Sequence, residues 1–220
     1  MKILILGGIK EASNLASKLI DESHDVTSSL AGRTKEPKPV KGKIRVGGFG
    51  GVEGLVHYLK HNQIELLIDC THPFAKQISA NAKEAAKLSG VILKTHKRAP
   101  WEKQEGDNWQ EVSNLEEARD ILPKNSRVLL ALGSQYIDLF KTRSDVFFLV
   151  RMVDKPENGL SLPDYKLLIG KPSPQWQDEK TIIKENKLTH IVCRNSGGTG
   201  AYARIEAARK MNLCVIIVSQ

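Results

Sequence analysis

The chain has 220 residues, 40% of them apolar, a share that suits one large or two small globular domains and leaves no tract that reads as disordered. Thirty-three basic side chains face 25 acidic ones, and the formal net charge of +8 points to an anionic partner: nucleic acid, a phosphate-bearing cofactor or a polycarboxylate. No apolar run approaches the roughly 18 residues of a membrane helix, and Ile3-Leu4-Ile5-Leu6 is too short for a signal-peptide core, so no membrane partner is expected and cytoplasm is the simplest compartment.

Short apolar runs alternate with helical patterns, which predicts an α/β fold of mainly parallel sheets with helices on their faces. Lys2–Leu6 reads as a strand ending in Gly7-Gly8, and Ala12, Leu15, Ala16, Leu19 and Ile20 then recur at helical spacing. Strands follow at Asp25–Leu30 and Lys43–Val46, then a helix carrying Val52, Leu55, Val56 and Leu59. A buried strand over 65–71 leads to an alanine-rich helix after Pro73, and 91–95 closes the set. Beyond Trp101 the pattern predicts strands over 108–112, 127–132 and 146–153, with a helix whose N-cap is Asn114. After a proline- and glycine-bearing loop over 156–164 come Tyr165–Ile169, a helix within 175–186, a strand over 189–194, a helix over about 199–211 and the strand Cys214–Val218. The segments 66–94 and 190–218 repeat one order: strand, polar turn, alanine-rich helix, strand. Two similar α/β lobes facing each other across a cleft fit this organisation, an N-terminal domain over 1–100, where the turns described next would bind a dinucleotide, and a C-terminal α/β domain over 101–220.

Three cysteines, Cys70, Cys193 and Cys214, sit in apolar segments with neither an even count nor a CxxC spacing, so they read as buried thiols and no metal site is expected. Gly7-Gly8-Ile9 lies between the first strand and first helix, where glycines let backbone N–H groups approach a phosphate at the positive end of the helix dipole. A tight structural turn is the competing explanation, since the full G-x-G-x-x-G pattern is absent. The second strand runs into Ser28-Ser29-Leu30-Ala31-Gly32-Arg33 without the acid that usually holds an NAD ribose; Arg33 suits a 2′-phosphate, and Lys35, Lys38, Lys41 and Lys43 add positive field. Gly47-Gly48-Phe49-Gly50-Gly51 predicts a bend that brings backbone close to a ligand, with Phe49 as a flat wall. Thr71-His72-Pro73-Phe74 ends the fourth strand on the same rim, with Pro73 suited to a first helical position and Thr71 or His72 to its cap.

These strings, with Arg98-Ala99-Pro100-Trp101, Asn195-Ser196-Gly197-Gly198 and the alanine-rich 205–209, resemble the precorrin-6A reductase family of cobalamin biosynthesis along essentially the whole chain. The resemblance implies two Rossmann-like lobes with mainly parallel sheets and a cleft between them, NADPH, or NADH in some members, and an anionic tetrapyrrole substrate, metal-free or cobalt-bearing, bound between the lobes. Ile9 stands where the family usually has threonine, and Cys193-Arg194 where Thr-Lys is usual. Gly7, Gly8, Ile9, Gly32, Arg33, Gly48, Phe49, Gly50, Thr71, His72, Pro73 and Phe74 are then expected at the cofactor. Arg98, Trp101, Arg194, Asn195, Ser196, Gly197 and Gly198 are expected at the substrate, with Arg151 and Arg204 as further partners for its carboxylates; ordinary surface ion pairs are the competing reading for the four arginines. The accompanying proton is left open between His72, Tyr202 and water. A short-chain reductase is disfavoured because no tyrosine has lysine four residues on. A nucleic-acid module is disfavoured because aromatics are only 5% and do not interleave with the basic residues. A non-catalytic dinucleotide- or tetrapyrrole-binding module remains the alternative.

Overall fold

Eleven strands and six α-helices are found among residues 1–32 and 40–220, the part of the chain that the computed structural model describes. They fall into two compact units, Met1–Arg98 and Ala99–Gln220. Within each, every strand pairing is parallel.

The first unit holds β1 (Lys2–Leu6), α1 (Lys10–Asp21), β2 (Asp25–Leu30), β3 (Lys43–Val46), α2 (Gly51–His61), β4 (Leu66–Asp69), α3 (Lys76–Ser89) and β5 (Ile92–Thr95), with sheet order β3-β2-β1-β4-β5. A parallel sheet covered on both faces buries consecutive residues, so β1 reads as an unbroken apolar run rather than an alternation. Ile3 and Ile5 pack with Ala12 and Ala16 of α1, while Leu4 and Leu6 pack with Leu55 and Leu59 of α2 and the alanines of α3.

The second unit holds β6 (Trp109–Val112), α4 (Leu115–Asp120), β7 (Arg127–Leu130), β8 (Phe147–Met152), β9 (Tyr165–Ile169), α5 (Trp176–Glu185), β10 (His190–Arg194), α6 (Ala203–Lys210) and β11 (Cys214–Val218), in the order β6-β11-β10-β7-β8-β9. Ile183 of α5 and Ile205 of α6 cover one face through Leu129, Leu149, Ile191, Val215 and Ile217. A 3-10 helix, Ser134–Phe140, follows β7, and its Phe140 meets Phe148 of β8 edge-on at 5.7 Å. The sequence pattern did not predict that helix.

Five predicted strands, Lys2–Leu6, Asp25–Leu30, Lys43–Val46, Tyr165–Ile169 and Cys214–Val218, keep their ends, and Asn114 caps α4 by accepting from the Glu117 N–H. Two helix starts differ. The helix expected directly after Pro73 begins at Lys76, because residues 72–75 close a turn in which Ala75 N–H donates to His72 O at 2.7 Å. No side chain caps it, and Thr71 donates its hydroxyl to Asp69 Oδ1 at 2.7 Å instead. The helix expected from about residue 199 begins at Ala203, after a bend and turn over 198–202.

Candidate functional site

In a doubly wound sheet, ligands sit at the C-terminal ends of the strands, where neighbouring strands send their connections to opposite sides. In the first unit that point lies between β1, which leads to β2, and β4, which leads to β5. It gathers the turns 7–9 and 70–75. Gly8 has φ 119°, a conformation open to glycine, while a Cβ on Gly7 would stand 3.3 Å from Ala12 Cβ. The two glycines thus do different work: one permits the turn, the other lets α1 pack against it. Ile9 is the N-cap of α1 and gives it no side-chain cap, which leaves the positive end of the helix open to an anion.

Glu11, in the first turn of α1, would oppose an anion there, but it is paired with Arg98. Burial acts against ionisation of Glu11, yet the Arg98 hydrogen bond, with a backbone one, holds its carboxyl below the usual value of 4.5. Arg98, expected at the substrate, thus neutralises Glu11 within its own unit.

The glycine bend after β3 has an organiser that was missed. Arg45 donates from Nη1 to Gly47 O at 2.5 Å and from Nη2 to Gly48 O at 2.6 Å, and its guanidinium lies 3.8 Å from the Phe49 ring centroid. Phe49 in turn meets Tyr58 edge-on at 5.3 Å. Gly50 caps α2 at φ 77°, a left-handed position. One turn into α2, a Cβ on Gly54 would lie 1.7 Å from Phe49 O, so that glycine lets the bend sit on the helix. The strand-end cue had marked Gly47–Gly51 but not these two supports. A Cβ on Gly48, by contrast, would meet nothing within 4 Å.

At the end of β4, buried Asp69 accepts from both the N–H and the hydroxyl of Thr71, and Thr71 Oγ1 lies 3.2 Å from Ser79 Oγ. His72 Nδ1 accepts from Phe74 N–H at 3.3 Å. Cys70 is buried, and burial with the charges of Glu11 and Asp69 pushes its thiol up to about 11, so it is no nucleophile. At the end of β2, Gly32 is described, but Arg33, Lys35 and Lys38 lie outside the described residues. Lys41 and Lys43 pair with Asp21 and Asp25, which offsets the positive field expected of them.

In the second unit the switch point lies between β7 and β10, so the loops 131–133 and 195–200 share it. Ala131-Leu132-Gly133 was not singled out from the sequence, although a glycine at a strand end was the available signal. Asn195 makes a paired contact with Trp101: its Oδ1 accepts from Trp101 N–H at 2.7 Å and its Nδ2 donates to Trp101 O at 2.9 Å. The Trp101 indole donates to Gly198 O at 2.7 Å. These bonds hold the segment 100–104 beside the 195–200 loop, where Pro100, Trp101, Glu102, Gln104, Gly198 and Tyr202 line a pocket. The Tyr202 hydroxyl accepts from Arg209, which also clamps buried Asp107. Arg194 lies over the Tyr136 ring at 4.7 Å. Arg151 is buried and donates to both carboxylate oxygens of Glu179 at 2.8 Å. No group of His, Cys, Asp and Glu among the described residues is arranged to hold a metal ion.

A protein-family model described as "Precorrin-6x reductase CbiJ/CobK" matches residues 2–220. A precorrin-6A reductase of Rhodobacter capsulatus is 42% identical over 220 residues, spanning 100% of this chain and 88% of that protein. One from Mycobacterium tuberculosis is 35% identical over 222 residues, with the same two shares. A cobalt-precorrin-6A reductase of Priestia megaterium is 25% identical over 231 residues, 99% of this chain and 90% of that protein. A solved structure of CobK precorrin-6A reductase superposes with a TM-score of 0.92 at 41% identity, over 100% of this chain and 88% of that one.

Proposed function

This chain belongs to the precorrin-6x reductase family, an oxidoreductase family, and we propose that it reduces one ring double bond of precorrin-6A to the 6B form with NADPH in corrin ring synthesis. The observation that carries the cofactor half of this reading is the rim of the first sheet. There an uncapped helix N-terminus, a neutralised Glu11 and two glycines whose Cβ positions are open, Gly8 and Gly48, leave room and donors for phosphates. Membership of a reductase family implies a nicotinamide cofactor, which when bound supplies hydride to one carbon of the double bond. The residues fit that group: Gly8 and Ile9 present backbone N–H groups while the Gly7 N–H is held by Ser29 O at 2.9 Å, Gly48–Gly50 with Phe49 form a second wall, and the 71–74 turn a third.

The phosphate-bearing form of the cofactor is supported by the end of β2, which offers Ser28, Ser29 and Leu30 but no carboxylate for a ribose diol. The acid of that strand, Asp25, lies at its other end and is taken by Lys43. Arg33 supplies the matching cation by sequence alone. The metal-free substrate is favoured by the identities, 35–42% to relatives named for precorrin-6A against 24–30% to those named for the cobalt form. We place the reaction in the cytoplasm, in keeping with three free cysteines.

Anaerobic incubation with NADPH and precorrin-6A tests the reading. Oxidation of the cofactor with a matching change in the pigment spectrum is expected, faster than with cobalt-precorrin-6A. NADPH should bind more tightly than NADH, and Arg33→Ala should narrow the gap. Absence of turnover with both pigments would leave a binding module and overturn the proposal.

A further inference from the structure

Arg204, the second residue of α6, is a cation placed where a globular core rarely keeps one without a partner. It is 8% exposed. Its Nε donates to Ala201 O at 3.1 Å. Its two terminal nitrogens donate to no atom of the described residues, no carboxylate there comes within 4.0 Å, and both nitrogens still touch accessible surface. The charges nearest it belong to Arg151 and Glu179, and the Cys193 thiol beside it is kept neutral by burial.

Those neighbours fix its location and its deficit. Cys193 and Arg151 lie near the C-terminal ends of β10 and β8, on either side of β7, so the guanidinium stands at the switch point of the second sheet. Glu179 is the nearby acid, and it is already engaged. Both its oxygens accept from Arg151, and Oε1 also accepts from Ser173 N–H at 3.0 Å. One carboxylate therefore serves two guanidiniums, and the cluster carries one positive charge in excess. Burial pushes the Arg204 pKa below that of a free guanidinium, the direction expected of a buried cation short of a counter-charge. An arginine fork with unoccupied donors is the geometry that takes a carboxylate by two parallel bonds.

We propose that Arg204 is an anion anchor at the β7–β10 switch point and that its occupant is a peripheral carboxylate of the tetrapyrrole. This rests on the reading of the chain as a precorrin-6A reductase. A phosphate of the dinucleotide is the other oxyanion within reach of the same chemistry, and the assay separates the two.

Affinity for precorrin-6A is measured without NADPH, from the pigment's absorbance change, in the wild type, Arg204→Met and Arg204→Lys; NADPH affinity is measured separately by fluorescence. Arg204→Met should weaken precorrin-6A binding at least about 30-fold, the loss typical of removing one member of a buried charge pair. Its NADPH Kd should stay within about two-fold of wild type, and Arg204→Lys should recover much of the pigment affinity. Unchanged pigment affinity, or a loss confined to NADPH, overturns the anchor. A wild type that binds precorrin-6A without turnover overturns the proposed reaction but not the anchor. If Arg204→Met does not fold, phenylglyoxal footprinting of the wild type decides. Labelling of Arg204 that precorrin-6A suppresses supports the anchor; labelling that it does not suppress, or none, overturns it.

Discussion

Replacing Gly54 by alanine should destabilise the protein although the substitution lies inside a helix, where alanine ordinarily gains about 1 kcal/mol over glycine. The reason is the Phe49 carbonyl: the new Cβ would lie 1.7 Å from its oxygen and 2.9 Å from its carbon. Reaching even 3.0 Å from the oxygen requires a displacement of about 1.3 Å by backbone at one end or the other. That backbone cannot yield freely, because Arg45 holds Gly47 O and Gly48 O and stacks on Phe49, which packs on Tyr58. Overpacking strain costs about 1–3 kcal/mol and more where main chain must move, so it exceeds the helix-propensity gain and leaves a net loss of about 1–2 kcal/mol. Urea unfolding followed by circular dichroism reads this directly, with wild-type slope and a lower midpoint. NADPH affinity should fall in the same variant, since the displaced bend carries Gly48 and Phe49. A Gly54→Ala protein as stable as the wild type would show that the bend is not seated on α2 as described.

The neighbouring Gly48→Ala should behave oppositely: its Cβ meets no protein atom within 4 Å, so stability should change by less than about 0.5 kcal/mol while the NADPH Kd rises about ten-fold or more. Equal NADPH binding by Gly48→Ala and wild type would remove the glycine bend from the cofactor site. Asn195→Ala deletes both hydrogen bonds to the Trp101 main chain and should cost about 1–3 kcal/mol, with a red-shifted tryptophan emission as that segment loosens; an unshifted spectrum and midpoint would contradict it. The Glu11–Arg98 pair should give a pH signature. The folded pKa of Glu11 lies below 4.5, so its contribution is complete above that value and is lost as pH falls through the folded pKa. Arg98→Met should therefore cost about 1 kcal/mol near pH 7, discounted for the partial exposure of Glu11, and progressively less toward pH 3. A penalty independent of pH would show that Arg98 acts through packing alone.

The first unit was the more legible because its site chemistry is local. Gly7-Gly8 and Gly47–Gly51 directly follow strands whose apolar runs are unmistakable, and the parallel order of such strands assigns their ends to one rim. The supports of that rim were not legible, since Arg45 folds back over its own bend, Gly54 answers a carbonyl five residues earlier, and Asp69 works through a turn that delays α3 to Lys76. Pro73 is compatible with a first helical position and with the second place of a turn, and propensity cannot choose between them. The Ala75–His72 hydrogen bond does.

The arginines of the two units show why such residues resist assignment by sequence. Arg98, Arg151, Arg194 and Arg204 look alike as cations near suspected loops, yet their environments divide them. Arg151 is matched to Glu179, Arg98 to Glu11, and Arg194 lies over an aromatic ring, whereas Arg204 is held by a main-chain oxygen with its fork unengaged among the described residues. What separates them is the position of acids 28 residues away for Arg151 and 87 for Arg98, a long-range fact that no local pattern carries. The late start of α6 matters in the same way. Beginning at Ala203 rather than near 199, the helix carries Arg204 in its first turn, and the residues ahead of it are free to form the loop that meets Trp101. A net charge of +8 is thus a weak guide to an anionic substrate, because it counts the surplus of basic side chains without saying which of them lack an acid beside them. The sharper criterion is a buried guanidinium whose counter-charge is missing from the described chain, since burying a charge is costly unless something pairs with it.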